Sequence, residues 1–302
     1  MELLIFIEGI RTPFFDTFFS IITRLGEEMI LIIVFCALYW CINKKMAYII
    51  GVVFFMSALA VQGMKIVFRI ARPWVIDPNF TTVEGAVREA TGYSFPSGHT
   101  QNAASYLGGL GALLKPIAVK IILFTLAILV AFSRMYLGVH TLEDVLVSLL
   151  ITFVMIFITM KVFDKDDCKK RDLIVSSVMV LFSVVVLIYA AVLNYSGVSE
   201  AYQLRDSVLA AGAAIGFAVG MFIERTYIRF SVKAQNIPMQ IVKYVLGVVG
   251  IIAIQEGARI IGDGLIADGI RYFLMIMWPT AVYPLVIKRF FTAPDSASDV
   301  DV

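Results

Sequence analysis

Charged residues are scarce in this chain. They make up 16% of the 302 residues, whereas 60% are hydrophobic. A soluble protein of this length needs far more polar surface to cover its core, so the composition excludes that class. The net charge of +2 gives no indication of a nucleic-acid partner.

Histidine and cysteine are also rare. There are two histidines and three cysteines, and Cys36, Cys41 and Cys168 form no CxxC pair. The sequence therefore predicts neither a disulfide framework nor a zinc site. The N-terminus MELLIFIEGI lacks a basic n-region, so a cleaved signal peptide is not expected.

Long apolar runs fill most of the chain instead. A membrane-spanning helix needs about 20 apolar residues, and the runs predict an all-α, polytopic membrane helix bundle with about nine spans. The predicted spans are 27–43, 46–68, 98–114, 116–133, 144–163, 173–193, 207–226, 239–257 and 266–288. In the seventh span, Gly212, Gly216 and Gly220 predict close helix packing.

Residues 1–26 differ from these spans. Polar residues and a proline interrupt the apolar pattern, and four phenylalanines form an aromatic side, which predicts an amphipathic helix at the membrane interface. The interrupting residues are Glu8, Arg11, Pro13 and Asp16, and the aromatic ones are Phe14, Phe15, Phe18 and Phe19.

Basic residues predict the orientation, because cytoplasmic loops are enriched in Lys and Arg. Alternate loops are basic, and we place them in the cytoplasm, which puts the N-terminus outside and the polar tail 291–302 inside. The basic residues are Lys44, Lys45, Lys115, Lys120, Lys165, Lys169, Lys170, Arg171, Arg225, Arg229, Lys233, Lys288 and Arg289. The opposite loops include 69–97 and 134–143, so both histidines are expected at the outer membrane surface.

Three polar clusters carry the unusual chemistry. The first joins Lys65, Arg69 and Arg72 at the outer end of the second span, on one face if the helix continues to Pro73. Pro73 favours extended backbone at Arg72 and ends the helix. Snorkelling of basic side chains is a poor explanation, since these charges oppose the positive-inside bias.

The second cluster is the segment Ser97-Gly98-His99, which directly precedes a span. Ser97 is a good N-cap, and Gly98 lets a ligand approach the backbone. The free N–H groups of a helix N-terminus form an anion site. Alone, this cluster is as consistent with a helix cap that carries an incidental histidine as with an anion site.

The third cluster runs from Ser133-Arg134 to His140 and Asp144. The i, i+4 spacing predicts that His140 and Asp144 share a helical face. A carboxylate on one imidazole nitrogen leaves the other free to attack. Alone, such a pair is most often a structural hydrogen bond.

Together the clusters supply what phosphoryl transfer requires. Basic residues and a helix N-terminus could bind phosphate, His140 could be the nucleophile, and His99 could be the acid. A two-metal site would need several converging carboxylates or histidines, which the sequence does not show, so we expect no metal and no cofactor.

These motifs resemble the type 2 phosphatidic acid phosphatase superfamily, which includes lipid phosphate phosphatases, glucose-6-phosphatase and vanadium haloperoxidases. The family motifs KxxxxxxRP, PSGH and SRxxxxxHxxxD match Lys65–Pro73, Pro96–His99 and Ser133–Asp144 at every position. The resemblance covers about residues 45–165 and implies a helical core with an extracytoplasmic site.

The resemblance also implies roles for individual residues. His140 is the nucleophile that forms a phosphohistidine, Asp144 orients it, and His99 protonates the leaving oxygen. The implied phosphate-binding groups are Lys65, Arg72 and Arg134 together with Ser97 and the Gly98 amide.

Four spans follow the third motif, whereas many bacterial members end there. The expected organisation is therefore an N-terminal interfacial segment (1–26), a catalytic membrane core (27–165), additional C-terminal spans (166–290) and a cytoplasmic tail (291–302). Nine spans resemble glucose-6-phosphatase and the sphingosine-phosphate phosphatases, and Leu25-Gly26-Glu27-Glu28 also resembles the latter. The added spans could serve stability, homodimerisation or a substrate wall.

Three functions remain open at this point. The first is a phosphatase of a phospholipid, isoprenoid or sphingoid phosphate or pyrophosphate in the bilayer, with a bacterial plasma membrane as the expected location. The second is a phosphatase of a soluble sugar phosphate. The third, least favoured because the later spans carry few central charges, is a transporter that binds a phosphate head group.

Overall fold

The computed structural model describes residues 1–164, 168–257 and 262–291. Of these residues, 81% are helical and none lies in a β-strand, which confirms the all-α class. Lys165 of one predicted basic loop and residues 292–302 of the predicted tail lie outside the described residues.

The chain forms a succession of α-helices separated by short turns. Their bounds are α1 Glu2–Gly9, α2 Pro13–Thr23, α3 Glu28–Ala37, α4 Lys44–Phe68, α5 Pro73–Ile76, α6 Gly98–Ala103, α7 Gly109–Leu113, α8 Ile117–Tyr136, α9 Leu142–Val162, α10 Lys169–Tyr195, α11 Ala201–Ile223, α12 Ile237–Gly257, α13 Leu265–Met277 and α14 Tyr283–Phe290. Helical turns of π type extend α3, α11 and α13 and join α6 to α7; these are Leu38–Ile42, Glu224–Ile228, Trp278–Val282 and Ala104–Gly108.

Seven described helical segments are long and apolar enough to span a membrane, which supports an integral membrane protein. They are Lys44–Ile76, Ile117–Tyr136, Leu142–Val162, Lys169–Tyr195, Ala201–Ile228, Ile237–Gly257 and Leu265–Phe290. Pro13–Gly26 and Glu28–Ile42, bent by 52°, would make an eighth if they form one span. The predicted span 98–114 corresponds to the α6–α7 segment, which is shorter than the roughly 20 residues that usually cross a bilayer. The predicted number of nine spans is therefore approximate.

The chain divides into two compact units. The first contains Met1–Ile32 and Met56–Thr159, and the second contains Ile33–Phe55 and Met160–Val302. All of the predicted site residues belong to the first unit.

The core of the first unit forms where α1 and α2 pack against α8. The Phe19 ring lies 4.5 Å from the Tyr136 ring and 5.3 Å from the Phe132 ring, measured between centroids. The buried core residues are Leu4, Ile7, Phe19, Phe80, Ala90, Ala131, Met135, Tyr136, Leu137, Val139 and Val145. This core fixes the end of α8, from which Arg134 and the His140 turn project.

In the second unit, α11 packs closely on α13 through the glycine face. A Cβ on Gly212 would lie 2.5 Å from the Gly269 carbonyl oxygen, and one on Gly216 would lie 2.6 Å from that of Phe273. The predicted close packing is therefore confirmed, since only glycine lets these backbones approach so far.

Candidate active site

Helix α4 ends at Phe68, the end of the predicted span and four residues before Arg72. Arg69 adopts a left-handed φ of 50°, and its N–H donates to the Lys65 carbonyl oxygen at 3.0 Å, which closes the helix with an αL cap. The Ile70 carbonyl then accepts from the Ser94 N–H at 2.8 Å. The expectation that Lys65, Arg69 and Arg72 share a helical face is therefore wrong, because the chain leaves the helix to bond with the following loop.

Arg72 instead reaches the site from extended backbone, as Pro73 predicts (φ −71°, ψ 154°). Its guanidinium is buried and donates to three carbonyl oxygens, those of Thr91 (2.6 Å), Gly92 (3.0 Å) and Val139 (3.0 Å). Nη1 also lies 2.9 Å from His140 Nε2. The carbonyls hold the planar group in one orientation, with a charged edge facing the histidine.

His140 lies in the turn between α8 and α9. Gly138 takes a left-handed φ of 80°, and the N–H groups of Val139 and His140 both donate to the Arg134 carbonyl oxygen, at 3.1 and 3.2 Å. Asp144 belongs to the first turn of α9. The predicted His140–Asp144 pair forms, with Nδ1 3.2 Å from Oδ2, but the shared helical face is wrong because the histidine precedes the helix.

Two contacts determine the tautomer of His140. Arginine can only donate, so the 2.9 Å contact with Arg72 requires a lone pair on Nε2. The proton then sits on Nδ1 and is donated to Asp144. The hydrogen-bond partners thus assign to Nε2 the lone pair that a nucleophile needs.

Burial and charge keep this imidazole neutral. His140 is 2% exposed. Burial lowers the pKa of His140 well below its usual range, and the positive charges of Arg72, Arg134 and Lys65 lower it further. Protonation would occupy the attacking lone pair, so the lowered pKa favours nucleophilic attack near neutral pH.

Ser97 caps α6, as predicted. Its Oγ accepts from the Thr100 N–H at 3.4 Å and from Thr100 Oγ1 at 3.0 Å, which leaves the Ser97 hydroxyl proton to donate elsewhere. The Ser97 N–H donates to the Asp144 carbonyl oxygen at 3.1 Å. This bond ties the second motif to the third.

Gly98 and His99 form the first turn of α6. A Cβ on Gly98 would meet nothing within 4 Å, so the approach to the helix N-terminus is open. His99 Nε2 is buried and has no hydrogen-bond partner among the described residues. A buried polar atom of this kind is costly unless a ligand or water satisfies it, which supports a polar ligand here.

Lys65 and Arg134 add two more positive charges near the two histidines. Lys65 lies in the last turn of α4 and Arg134 in the last turn of α8. Their charges act on both His99 and His140. These contacts and charges connect the eight residues to which the sequence assigns a catalytic or phosphate-binding role.

Sequence reasoning missed Ser94 and Thr141, which also hold Asp144. Oδ2 of Asp144 accepts from the Thr141 N–H at 2.8 Å and from the fully buried Ser94 hydroxyl. Thr141, three residues before Asp144, could have been suspected as a partner from its position at the start of α9. No sequence signal connects Ser94 to a carboxylate 50 residues away.

Among the residues that the structure describes, no three His, Cys, Asp or Glu side chains are grouped so that they could hold a metal ion.

Comparison with known proteins agrees with the motifs. Residues 46–168 match the PAP2 superfamily, and residues 208–295 match the PAP2 superfamily phosphatase transmembrane extension. The two matched regions together span most of the chain, which therefore belongs to the PAP2 superfamily.

Two known proteins are similar to this chain. Human sphingosine-1-phosphate phosphatase 2 is 24% identical over 241 residues, which cover 76% of this chain and 57% of that protein. The chain thus spans a little over half the length of this relative. The crystal structure of Aquifex aeolicus LpxE is 28% identical and covers 53% of this chain and 93% of that one, with a TM-score of 0.49.

Proposed function

We propose that this protein removes phosphate from a membrane lipid phosphate or pyrophosphate through a phosphohistidine at His140, without a metal ion. The observation that carries the proposal is the pair of contacts on His140, with Nδ1 facing Asp144 and Nε2 facing a guanidinium edge. That arrangement provides a neutral nucleophile beside a group that can bind its target.

The reaction proceeds in two displacements. Burial and the positive charges of Arg134, Lys65 and Arg72 disfavour the protonated form of His99, and the negative charge of the entering phosphate offsets those cations, so His99 takes up a proton as the substrate binds. Nε2 of His140 then attacks phosphorus while the bond from phosphorus to the leaving oxygen breaks, and His99 gives this proton to that oxygen. Water then attacks the phosphohistidine, returns a proton to His99 and releases orthophosphate, which restores His140. Positioning and charge neutralisation supply most of the catalysis in such transfers.

Five groups neutralise the phosphoryl oxygens in this proposal. They are the side chains of Lys65, Arg72, Arg134 and Ser97 and the N–H of Gly98. When phosphate enters, Arg72 Nη1 moves its hydrogen bond from His140 Nε2 to a phosphate oxygen and so releases the lone pair for attack. Because Arg72 keeps its three carbonyl partners, this exchange needs little movement.

Two observations support a lipid substrate. Apolar side chains are exposed beside the first motif, with Phe68 54% and Ile70 38% accessible, where they could border an acyl or isoprenoid chain. One relative is named as a sphingosine-1-phosphate phosphatase. Candidate substrates are phosphatidic acid, phosphatidylglycerophosphate, a sphingoid phosphate and undecaprenyl pyrophosphate.

With residues 98–113 counted as a short span, basic loops alternate with the others, which supports an extracytoplasmic site and a cytoplasmic C-terminus. Cysteine labelling of intact cells tests this orientation. A cysteine introduced at exposed Glu143 should react with an impermeant maleimide before lysis, after the native cysteines have been replaced. Labelling only after lysis would place the site on the cytoplasmic side.

The purified protein should release phosphate from short-chain lipid phosphates in the presence of a chelator. His140→Ala should lower kcat by several powers of ten, and wild-type protein quenched during turnover should carry an acid-labile, alkali-stable phosphate that His140→Ala lacks. Glu143→Gln, an exposed change in the next turn, is the matched control. Full activity of His140→Ala would overturn the proposed mechanism, and equal turnover of glucose 6-phosphate would favour a soluble substrate.

A further inference from the structure

The N-terminal segment reaches the catalytic cluster at the end of α2 and in the turn Arg24–Gly26. We propose that Thr23 and Gly26 are positioning residues for the reaction proposed above, with Thr23 holding the Arg134 guanidinium and Gly26 seating His99. The inference rests on that proposed function for its chemistry. Neither residue belongs to the three motifs.

Helix α2 is fixed against α8, the helix that carries Arg134. The Thr12 N–H donates to the Tyr136 hydroxyl at 3.1 Å, and that hydroxyl donates to Asp16 at 2.8 Å. The Phe19 ring also packs on Tyr136. These contacts hold the first two turns of α2 on α8, so the position of Thr23 at the far end follows from a rigid helix.

Thr23 contacts the guanidinium directly. Nη1 of Arg134 donates to Thr23 Oγ1 at 2.7 Å, and the two residues are only 1% and 4% exposed. Hydrogen bonds to charged groups are stronger than neutral ones, and they are costly to lose in a buried place. The Thr23 hydroxyl therefore limits the directions in which Arg134 can point toward phosphate.

Gly26 lies against the backbone of His99. A Cβ at residue 26 would stand 2.8 Å from the His99 carbonyl oxygen and 2.9 Å from its Cβ, which is closer than atoms can pack. Hydrogen bonds clamp the turn here, with Asn102 Nδ2 donating to the Gly26 carbonyl at 3.0 Å and the Tyr106 hydroxyl to that of Leu25 at 2.7 Å. A side chain at residue 26 must therefore displace the first turn of α6 and His99 with it.

One short turn thus connects two different catalytic tasks. Thr23 acts on the arginine that binds phosphate, whereas Gly26 acts on the histidine that protonates the leaving oxygen. Changes at the two positions should therefore have different kinetic signatures, which a general loss of stability would not produce.

The first test concerns phosphate binding. Thr23→Val, which removes the hydroxyl and keeps the branched shape, should lower kcat/KM by about 10- to 100-fold and weaken binding of orthovanadate, a phosphate analogue, by a similar factor. Thr23→Ser should restore both. Thr17→Val, on the exposed face of the same helix, is the control. Wild-type vanadate affinity in Thr23→Val, or a serine variant as weak as the valine one, would overturn the role of Thr23.

The second test concerns the leaving group. Gly26→Ala should lower turnover of an alkyl phosphate at least about tenfold more than that of p-nitrophenyl phosphate, whose leaving group departs without a proton, since general acids contribute factors of about 10² to 10⁴. Gly9→Ala, where a Cβ meets open space, is the control. Equal losses on both substrates would overturn the role of Gly26. The milder Thr23→Val change should lower both substrates equally.

The outcomes separate this inference from the function on which it rests. Wild-type protein that binds vanadate but hydrolyses none of the phosphates would refute the proposed phosphatase. Vanadate affinity in Thr23→Val, measured by calorimetry without turnover, would still decide whether Thr23 positions Arg134.

Discussion

Replacing Asp144 with Asn should separate charge from geometry in the proposed nucleophile. Oδ2 of Asp144 accepts from His140 Nδ1 at 3.2 Å, from the Thr141 N–H at 2.8 Å and from Ser94. An amide oxygen is still an acceptor for the donors at this position, and Arg72 still requires the lone pair on His140 Nε2. We therefore expect Asp144→Asn to fold and to keep the His140 tautomer, while the negative charge is lost.

The magnitude follows from the distance. When Nε2 of His140 bonds to phosphorus, the imidazole ring becomes positively charged 3.2 Å from the carboxylate. At an effective dielectric constant of about 20, that attraction is worth about 5 kcal/mol, which corresponds to about three to four powers of ten in rate. Because the resting imidazole is neutral, KM should change little and the loss should fall on kcat.

Phosphate release from a short-chain lipid phosphate, with detergent-purified protein and excess chelator, measures this effect. Size-exclusion elution and melting temperature verify folding, and Glu143→Gln controls for loss of a nearby exposed acid. A fall in kcat of less than about tenfold would refute the charge argument, since it is far below the value expected from the distance. A loss confined to KM would show that Asp144 acts on binding instead.

Three further perturbations test other contacts. Ser94→Ala removes one of the hydrogen bonds to Asp144 and should lower kcat about tenfold; an unchanged kcat would show that the remaining donors suffice. Arg72→Lys keeps the charge but cannot contact the carbonyls of Thr91, Gly92 and Val139 together, so vanadate binding should weaken at least about tenfold; wild-type affinity would contradict a need for the planar fork. Gly216→Ala places a Cβ 2.6 Å from the Phe273 carbonyl oxygen and should destabilise the protein by about 1–3 kcal/mol, seen as a melting temperature below that of Gly9→Ala; equal melting temperatures would show that α11 and α13 can separate without cost.

Hydropathy and local motif chemistry could be read directly from the chain. The scarcity of charge and the apolar runs determined an all-helical membrane protein, because lipid requires backbone hydrogen bonds to close within each segment. His99, His140 and their basic companions were found because these residue types are rare in apolar runs and costly there without a function. Local rules also gave the Ser97 cap and the extended backbone at Arg72, since both depend only on adjacent residues.

Contacts between distant residues were decided by the tertiary structure alone. The path of the chain after α4 depends on a hydrogen bond that the Ser94 N–H donates to the Ile70 carbonyl oxygen, and the tautomer of His140 depends on Arg72, 68 residues earlier. Thr23 meets Arg134 across 111 residues because α2 packs on α8. The spacing of residues in the sequence shows which side chains are neighbours along one helix or turn, whereas contacts between distant residues depend on which helices pack together. The sequence therefore determined the chemistry of the site, and the tertiary structure determined how each catalytic group is held.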